Sequence, residues 1–122
     1  MANKILIVED DPLLVRMYTT KLEKEGYEVF QAGDGEKGWE IINKEKPDFV
    51  IMDVMMPKIS GMQLLAGVNK EPKLKNIPII MLSNLSQPEK MEKAKQLGAK
   101  EFLIKANYTP SQIVEKIKKY LG

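Results

Sequence analysis

The chain has 122 residues, 43% of them apolar, and its 19 basic and 17 acidic groups leave a net charge of +2. That length suits one domain, 1–122, with a core large enough to need no covalent staples. Cysteine and histidine are both absent, which excludes disulfides, thiolate and imidazole metal sites, Ser-His-Asp and Cys-His triads, and any histidine phosphate carrier.

The first apolar run, Ile5–Val8, is continuous, as in a parallel strand covered on both faces. Asp11 then precedes Pro12 and caps a helix whose Leu14, Met17, Tyr18 and Leu22 fall at helical spacing, with Gly26 placed to end it. Tyr27–Gln31 alternates apolar and polar residues and reads as an edge strand. Asp34 opens a second helix carrying Trp39 and Ile42, both read as packing residues. Phe49–Met52 is another continuous run, and a third helix starts near Gly61 with Met62, Leu64, Leu65 and Val68. Ile79–Leu82 repeats the buried-strand pattern. Ser86-Gln87-Pro88-Glu89 spells a capping box that opens a fourth helix, closed by Gly98. Phe102–Ile104 is the last strand. Thr109-Pro110-Ser111-Gln112, a second capping box, opens a fifth helix with Ile113, Val114, Ile117 and Leu121 on one face.

Strands and helices alternating at this spacing predict a three-layer α/β fold, (βα)5 and flavodoxin-like, with a five-stranded parallel sheet in the order 2-1-3-4-5. No internal repeat or low-complexity tract interrupts it. Arg16 is the sole arginine, a poor endowment for reading guanine or phosphate through a guanidinium fork, so direct nucleic-acid binding is not expected. Charge is uneven, net −4 over residues 1–69 and +6 over residues 70–122. No apolar run approaches the roughly 20 residues of a membrane span, and none resembles a leader. A soluble, intracellular protein without membrane contact is expected.

In such a sheet ligands bind beyond the carboxyl ends of the strands, at the switch point between strands one and three. Strand one runs into Glu9-Asp10-Asp11, strand three into Asp53, strand four into Ser83 and strand five into Lys105. Singly, each has an ordinary explanation as a cap or a solvated loop residue. Together, Glu9, Asp10 and Asp53 would crowd like charges at one edge of a low-dielectric sheet. Lys105 alone is not enough to offset them. Hard oxygen ligands without imidazole or thiolate point to Mg²⁺, which keeps several waters and takes one or two carboxylates plus phosphate oxygens. There is no Walker loop and no G-x-G-x-x-G, so a nucleotide site is unsupported. A carboxylate can itself be the nucleophile and form an aspartyl phosphate. Asp53 is the best placed, with Ser83 and Lys105 able to contact phosphoryl oxygens.

These residues resemble a response-regulator receiver domain of the CheY-like kind, over essentially the whole chain. The likeness is carried by Val8-Glu9-Asp10-Asp11, Asp53-Val54-Met55-Met56-Pro57 with Gly61, Pro78-Ile79-Ile80-Met81-Leu82-Ser83, Gly98-Ala99 and Phe102-Leu103-Ile104-Lys105. The resemblance implies that Asp53 accepts phosphate from a phosphohistidine on a histidine kinase or histidine phosphotransfer protein. It implies Mg²⁺ held by Asp10, Asp53 and the Met55 backbone carbonyl, with Glu9 acting through water. It further implies that Ser83 and Phe102 form the switch, and that helix four, strand five and helix five meet a downstream protein partner. Such a protein is cytoplasmic, a monomer or a dimer formed on phosphorylation, and catalyses only its own phosphotransfer and dephosphorylation. Nothing beyond the fifth helix reads as an effector module, which leaves a stand-alone receiver or part of a longer protein open.

The chain departs from the family pattern in three places. Ala106 follows Lys105 where the family has a cis proline; a cis bond before alanine would cost roughly 2.5–4 kcal/mol, so a trans bond and a rearranged loop are expected. Phe102 lacks a phenol. Asn84 replaces a small residue after the switch hydroxyl. Met55 and Leu85, two residues beyond the acceptor and the hydroxyl, are apolar and poor at orienting a water, so slow self-hydrolysis is expected. Met52, Met55, Met56 and Met62 are expected to pack in the core or its rim. Two other readings remain: an interaction module working without phosphorylation, and an aspartate-nucleophile phosphatase, whose second acid would stand where Met55 is.

Overall fold

The alternation of continuous and amphipathic apolar runs translates into layers. The computed structural model describes residues 2–122. In chain order these form β1 (Lys4–Val8), α1 (Pro12–Lys24), β2 (Glu28–Ala32), α2 (Gly35–Glu45), β3 (Phe49–Asp53), α3 (Gly61–Lys70), β4 (Ile79–Ser83), α4 (Pro88–Gln96) and β5 (Glu101–Ile104). A short 3-10 turn over Lys105–Asn107 then leads to α5 (Pro110–Leu121). The five strands pair in the order β2-β1-β3-β4-β5, all parallel.

Side chains alternate across a strand, so each apolar run feeds both faces of the sheet. Leu6, Val8, Val50, Met52, Ile79 and Met81 join Ile42, Leu64, Leu65, Val68 and Ala94 of α2, α3 and α4. Ile5, Ile7, Phe49, Ile51, Ile80, Leu82 and Leu103 meet Tyr18, Leu22, Ile113, Val114 and Ile117 of α1 and α5. Residues 49–53 and 79–83 are buried throughout, as the apolar runs 49–52 and 79–82 require, with polar Asp53 and Ser83 buried at their ends. β2 lies at the sheet edge, with Glu28 and Gln31 exposed, Val29 and Phe30 half-buried and only Ala32 buried. Trp39 packs from α2 against the first of these cores, over Gly67.

Most helix ends follow the sequence. Asp11 and Asp34 cap α1 and α2 through side-chain oxygens, and Thr109 and Gln112 close a reciprocal capping box at α5. Gly26 and Gly98 lie at φ +91° and +94° after α1 and α4, a region where only glycine is unstrained. The Ser86 capping box does not form. Gln87 is the N-cap, with no side-chain cap bond, and Pro88 opens α4. The residue before a proline is held extended, and Pro88 fits only the first helical position once Gln87 stands outside. Ser60 and Gln63 instead make a capping box at α3 that was not anticipated.

Strand bounds also shift. Tyr27 donates its N–H to the Leu22 carbonyl, which belongs to the end of α1, so β2 begins at Glu28 and runs to Ala32. β5 gains Glu101. Asp53 and Ser83 are the last residues of β3 and β4, paired with Leu82 and Ile104, and do not follow those strands.

β5 is tied to α5 by Glu101, which accepts from Lys116 Nζ at 2.9 Å and from the Tyr120 hydroxyl at 2.8 Å. Burial pushes the Glu101 pKa up, but these two hydrogen bonds and the Lys116 and Lys119 charges outweigh it, and the value falls below the ordinary 4.5. A lowered folded pKa gives stability that is present above the unfolded value and lost as pH falls through the folded one. Urea midpoints followed below that value are expected to drop more steeply for the wild type than for Glu101→Gln. Among the described residues no helix is long and apolar enough to cross a membrane.

Candidate functional site

The register of two adjacent parallel strands, β1 and β3, brings the acids together. Glu9 and Asp10 leave β1 beside Asp53 at the end of β3, and one carboxylate oxygen from each lies within 4.8 Å of the others. Glu9 and Asp53 are buried and Asp10 is exposed. Lys105, the first residue of the 3-10 turn, reaches across from β5. Its Nζ donates to Glu9 Oε1 at 2.7 Å and to Asp53 Oδ2 at 3.1 Å. Every peptide bond among the described residues is trans. The Lys105–Ala106 bond is therefore trans, as expected, and Lys105 still reaches the site.

The remaining carboxylate oxygens bond to backbone. Glu9 Oε2 accepts from the Asp11 N–H at 3.1 Å, and Asp53 Oδ1 from the Met55 N–H at 3.3 Å. Burial raises the Glu9 pKa; hydrogen bonds from Lys105 and the Asp11 backbone oppose this, the Asp53 charge adds to it, and the net shift is upward. Burial lowers the Lys105 pKa, but the Glu9 hydrogen bond and the Asp53 and Glu9 charges more than reverse it. Three acids thus converge beside one ammonium, which bonds two of them. A convergent set of hard oxygens carrying more negative charge than its neighbours balance fits a small divalent cation such as Mg²⁺.

The Ser83 hydroxyl is bonded within its own turn. Its Oγ donates to the Leu85 carbonyl at 2.8 Å and accepts from the Leu85 N–H at 3.2 Å. Phe102 is half-buried against the core beside α4. Met52 is buried, and Met56 and Met62 pack against that core as expected, but the Met55 side chain is exposed. Its place two residues past a strand end, between a carboxylate-bound N–H and Pro57, turns it to solvent.

Two residues named in the sequence for other reasons also bear on the site. Tyr18, read as one member of an apolar helix stripe, is buried on α1 within electrostatic reach of the cluster. Burial raises its pKa, the Lys105 charge lowers it, and Glu9, Asp53 and Asp11 add to the rise. Gly61 matters for its missing side chain. A Cβ there would fall on the Asp53 carbonyl oxygen and crowd Val54 Cα. Gly61→Ala is expected to lose about 1–3 kcal/mol or more in urea unfolding, since the clash is with backbone of the strand that carries Asp53.

Comparison with known proteins bears on the family and fold of the chain. The family described as response regulator receiver domain matches residues 5–118. The polar-differentiation response regulator DivK of Brucella anthropi is 27% identical over 100% of this chain and 98% of its own. A probable transcriptional regulator, ycf27 of Porphyridium aerugineum, is 34% identical over 98% of this chain, which spans only 48% of that longer relative. Among solved structures, a CheY-like response regulator receiver domain protein from Methanospirillum hungatei superposes with a TM-score of 0.91 at 29% identity, covering 99% of this chain and 94% of that one. With its strand order shared and the family match running nearly end to end, this chain belongs to the response regulator receiver domains of two-component systems.

Proposed function

We propose that the protein is a phosphoacceptor switch that takes a phosphoryl group onto Asp53 from a partner phosphohistidine. The observation that carries this reading is the convergence of Glu9, Asp10 and Asp53 with Lys105 bonded to two of them. Receiver domains generally bind Mg²⁺ at such an acidic cluster. Here Asp10, Asp53 and the Met55 backbone carbonyl would hold the ion, with Glu9 acting through water, and the ion would neutralise charge on the phosphoryl oxygens.

An Asp53 carboxylate oxygen attacks phosphorus in line with the phosphorus–nitrogen bond of the donor. A P–O bond forms, the P–N bond breaks, and the departing imidazole takes its proton from water. Lys105 is already within reach of Asp53 and pairs with a phosphoryl oxygen. The work is positioning and charge neutralisation. Ser83 reaches the phosphoryl group by giving up its two bonds to Leu85, and Phe102 turns inward as the loop moves. The readout face comprises α4, β5 and α5, where a downstream protein partner docks.

Incubation with Mg²⁺ and phosphoramidate tests the reading directly. Intact mass should show one added phosphoryl group, and a chain that stays unmodified would end the proposal. Once labelled, the chain should lose its phosphate slowly, because Met55 and Leu85 flank the acceptor with apolar side chains. A phosphoryl half-life of seconds at neutral pH after donor removal would contradict this.

A further inference from the structure

Residues 69–76 and 93–100 hold six lysines, Lys70, Lys73, Lys75, Lys93, Lys95 and Lys100, and a single acid, Glu71. All six lysines are exposed, and among the described residues none of them is in an ion pair. The two stretches meet at one corner of the molecule. A Cβ on Gly98, in the turn after α4, would touch Asn69 Oδ1 at the end of α3 at 3.2 Å. The Lys100 N–H donates to the Ile79 carbonyl, at the start of β4, at 2.8 Å. Lys70, Lys93 and Lys95 lie in the last turns of α3 and α4, where cations complement the helix dipole. Lys73, Lys75 and Lys100 lie outside any helix and have no such role.

We propose that this corner docks the protein reversibly on an anionic lipid surface. The occupant follows from the kind of charge. Lysine is a compact point charge without the planar fork by which arginine grips one carboxylate or phosphate. The six stand on the end of α3, on the loop from α3 to β4, and on the end of α4 with its turn. That spread suits a sheet of charge and not a single strand of peptide. None of the exposed large apolar side chains among the described residues lies there, so nothing inserts and the contact is electrostatic. Basic clusters bind anionic membranes on charge alone. The missing apolar span, behind the expectation of no membrane contact, therefore does not weigh against it.

The corner lies at the amino end of the sheet and Asp53 at the carboxyl end. At about 3.3 Å per residue, the five residues of β4 put roughly 15 Å between them. That is about twice the Debye length of ~8 Å at physiological salt. Lipid charge is thus screened from the acidic cluster, and the acceptor faces away from the bilayer.

Co-sedimentation with vesicles of phosphatidylglycerol and phosphatidylcholine in equal parts tests this. The wild type should bind them at low salt, leave as salt rises, and ignore vesicles of phosphatidylcholine alone. Each lysine near such a surface is worth about fivefold in binding. Lys70→Gln, Lys73→Gln and Lys75→Gln combined should therefore bind about a hundredfold more weakly. The loop that carries two of them is held by backbone bonds from Leu74 and Lys75 to the Glu71 carbonyl, so the thermal midpoint should hold. Lys24→Gln, Lys37→Gln and Lys119→Gln combined remove the same charge elsewhere and should cost less than fivefold. Acetylation of the vesicle-bound wild type, which needs no variant, should spare Lys70, Lys73 and Lys75 and still modify Lys37 in the first turn of α2.

A wild type that leaves anionic vesicles untouched at low salt overturns the proposal. Equal losses in the two triple variants overturn it too, since net charge alone would then suffice. So does protection of Lys37 in place of the corner. Displacement from the vesicles by random duplex DNA or polyglutamate at equal charge concentration would hand the corner to another polyanion and overturn it as well. None of these outcomes depends on Asp53 being the phosphoacceptor.

Discussion

Asp53→Asn is expected to carry no phosphoryl group after incubation with Mg²⁺ and phosphoramidate, under conditions that label the wild type once. The substitution keeps side-chain shape and removes the anionic nucleophile, so an amide oxygen must do what a carboxylate did. The strand itself should hold. Residue 53 is the last of β3, pairs by backbone with Leu82, and sits in a run that is buried throughout. The amide oxygen can still accept the Met55 N–H that Asp53 Oδ1 now accepts. Removing one of three crowded carboxylates relieves repulsion with Glu9 but also removes one of the two Lys105 ion pairs, so the thermal midpoint without Mg²⁺ should stay close to that of the wild type. This pairing of lost modification with retained stability separates loss of the acceptor from loss of the fold. Label retained on the variant would move the acceptor to another residue, with Asp10 and Ser83 the first to examine.

The architecture was legible because it depends on patterns that tertiary structure does not overturn. Continuous runs such as 49–52 and 79–82 can satisfy their apolar character only between two layers, and Thr109 with Gln112 carries both halves of its capping box. The Ser86 box failed for a local reason. Pro88 demands the first helical position, and the serine is then one residue too far out. The Ser60 box used the same pattern, with Gln63 in the third position, and was readable in principle. The acids of the site were legible as residues at strand ends. Their contacts were not, because the meeting of Lys105 with Glu9 depends on a 3-10 turn 96 positions away in sequence. Ser83 shows the same limit, since its bonds to Leu85 arise from the turn and not from its side-chain type.

Lys105→Met is expected to destabilise the chain by about 3–5 kcal/mol at neutral pH without divalent ions, as when one partner of a buried ion pair is removed. The side chains of Lys105, Glu9 and Asp53 are 12%, 2% and 6% exposed, so water replaces the lost ammonium poorly. The direction with pH follows from the shifts. Lys105 has a folded pKa above its unfolded value, so its contribution is complete below the unfolded value of 10.5 and is lost as pH rises through the higher folded one. Glu9 also has a raised folded pKa. Its protonated form is favoured by folding, and the benefit is present below 4.5 and lost as pH rises through the folded value. In Lys105→Met the hydrogen bond that now opposes that rise is gone, and Glu9 should take up a proton at still higher pH. The cost of the substitution should therefore shrink on mild acidification. Mg²⁺ should also shrink it at neutral pH, because a divalent cation held by the same oxygens replaces the missing charge. Saturation at a hundred times the dissociation constant is worth about 2.7 kcal/mol. Urea unfolding of both chains at neutral and mildly acid pH, with Mg²⁺ and with a chelator, measures each of these differences. A cost that is unmoved by proton or metal would mean that Lys105 stabilises the fold by its packing and not by neutralising the acids.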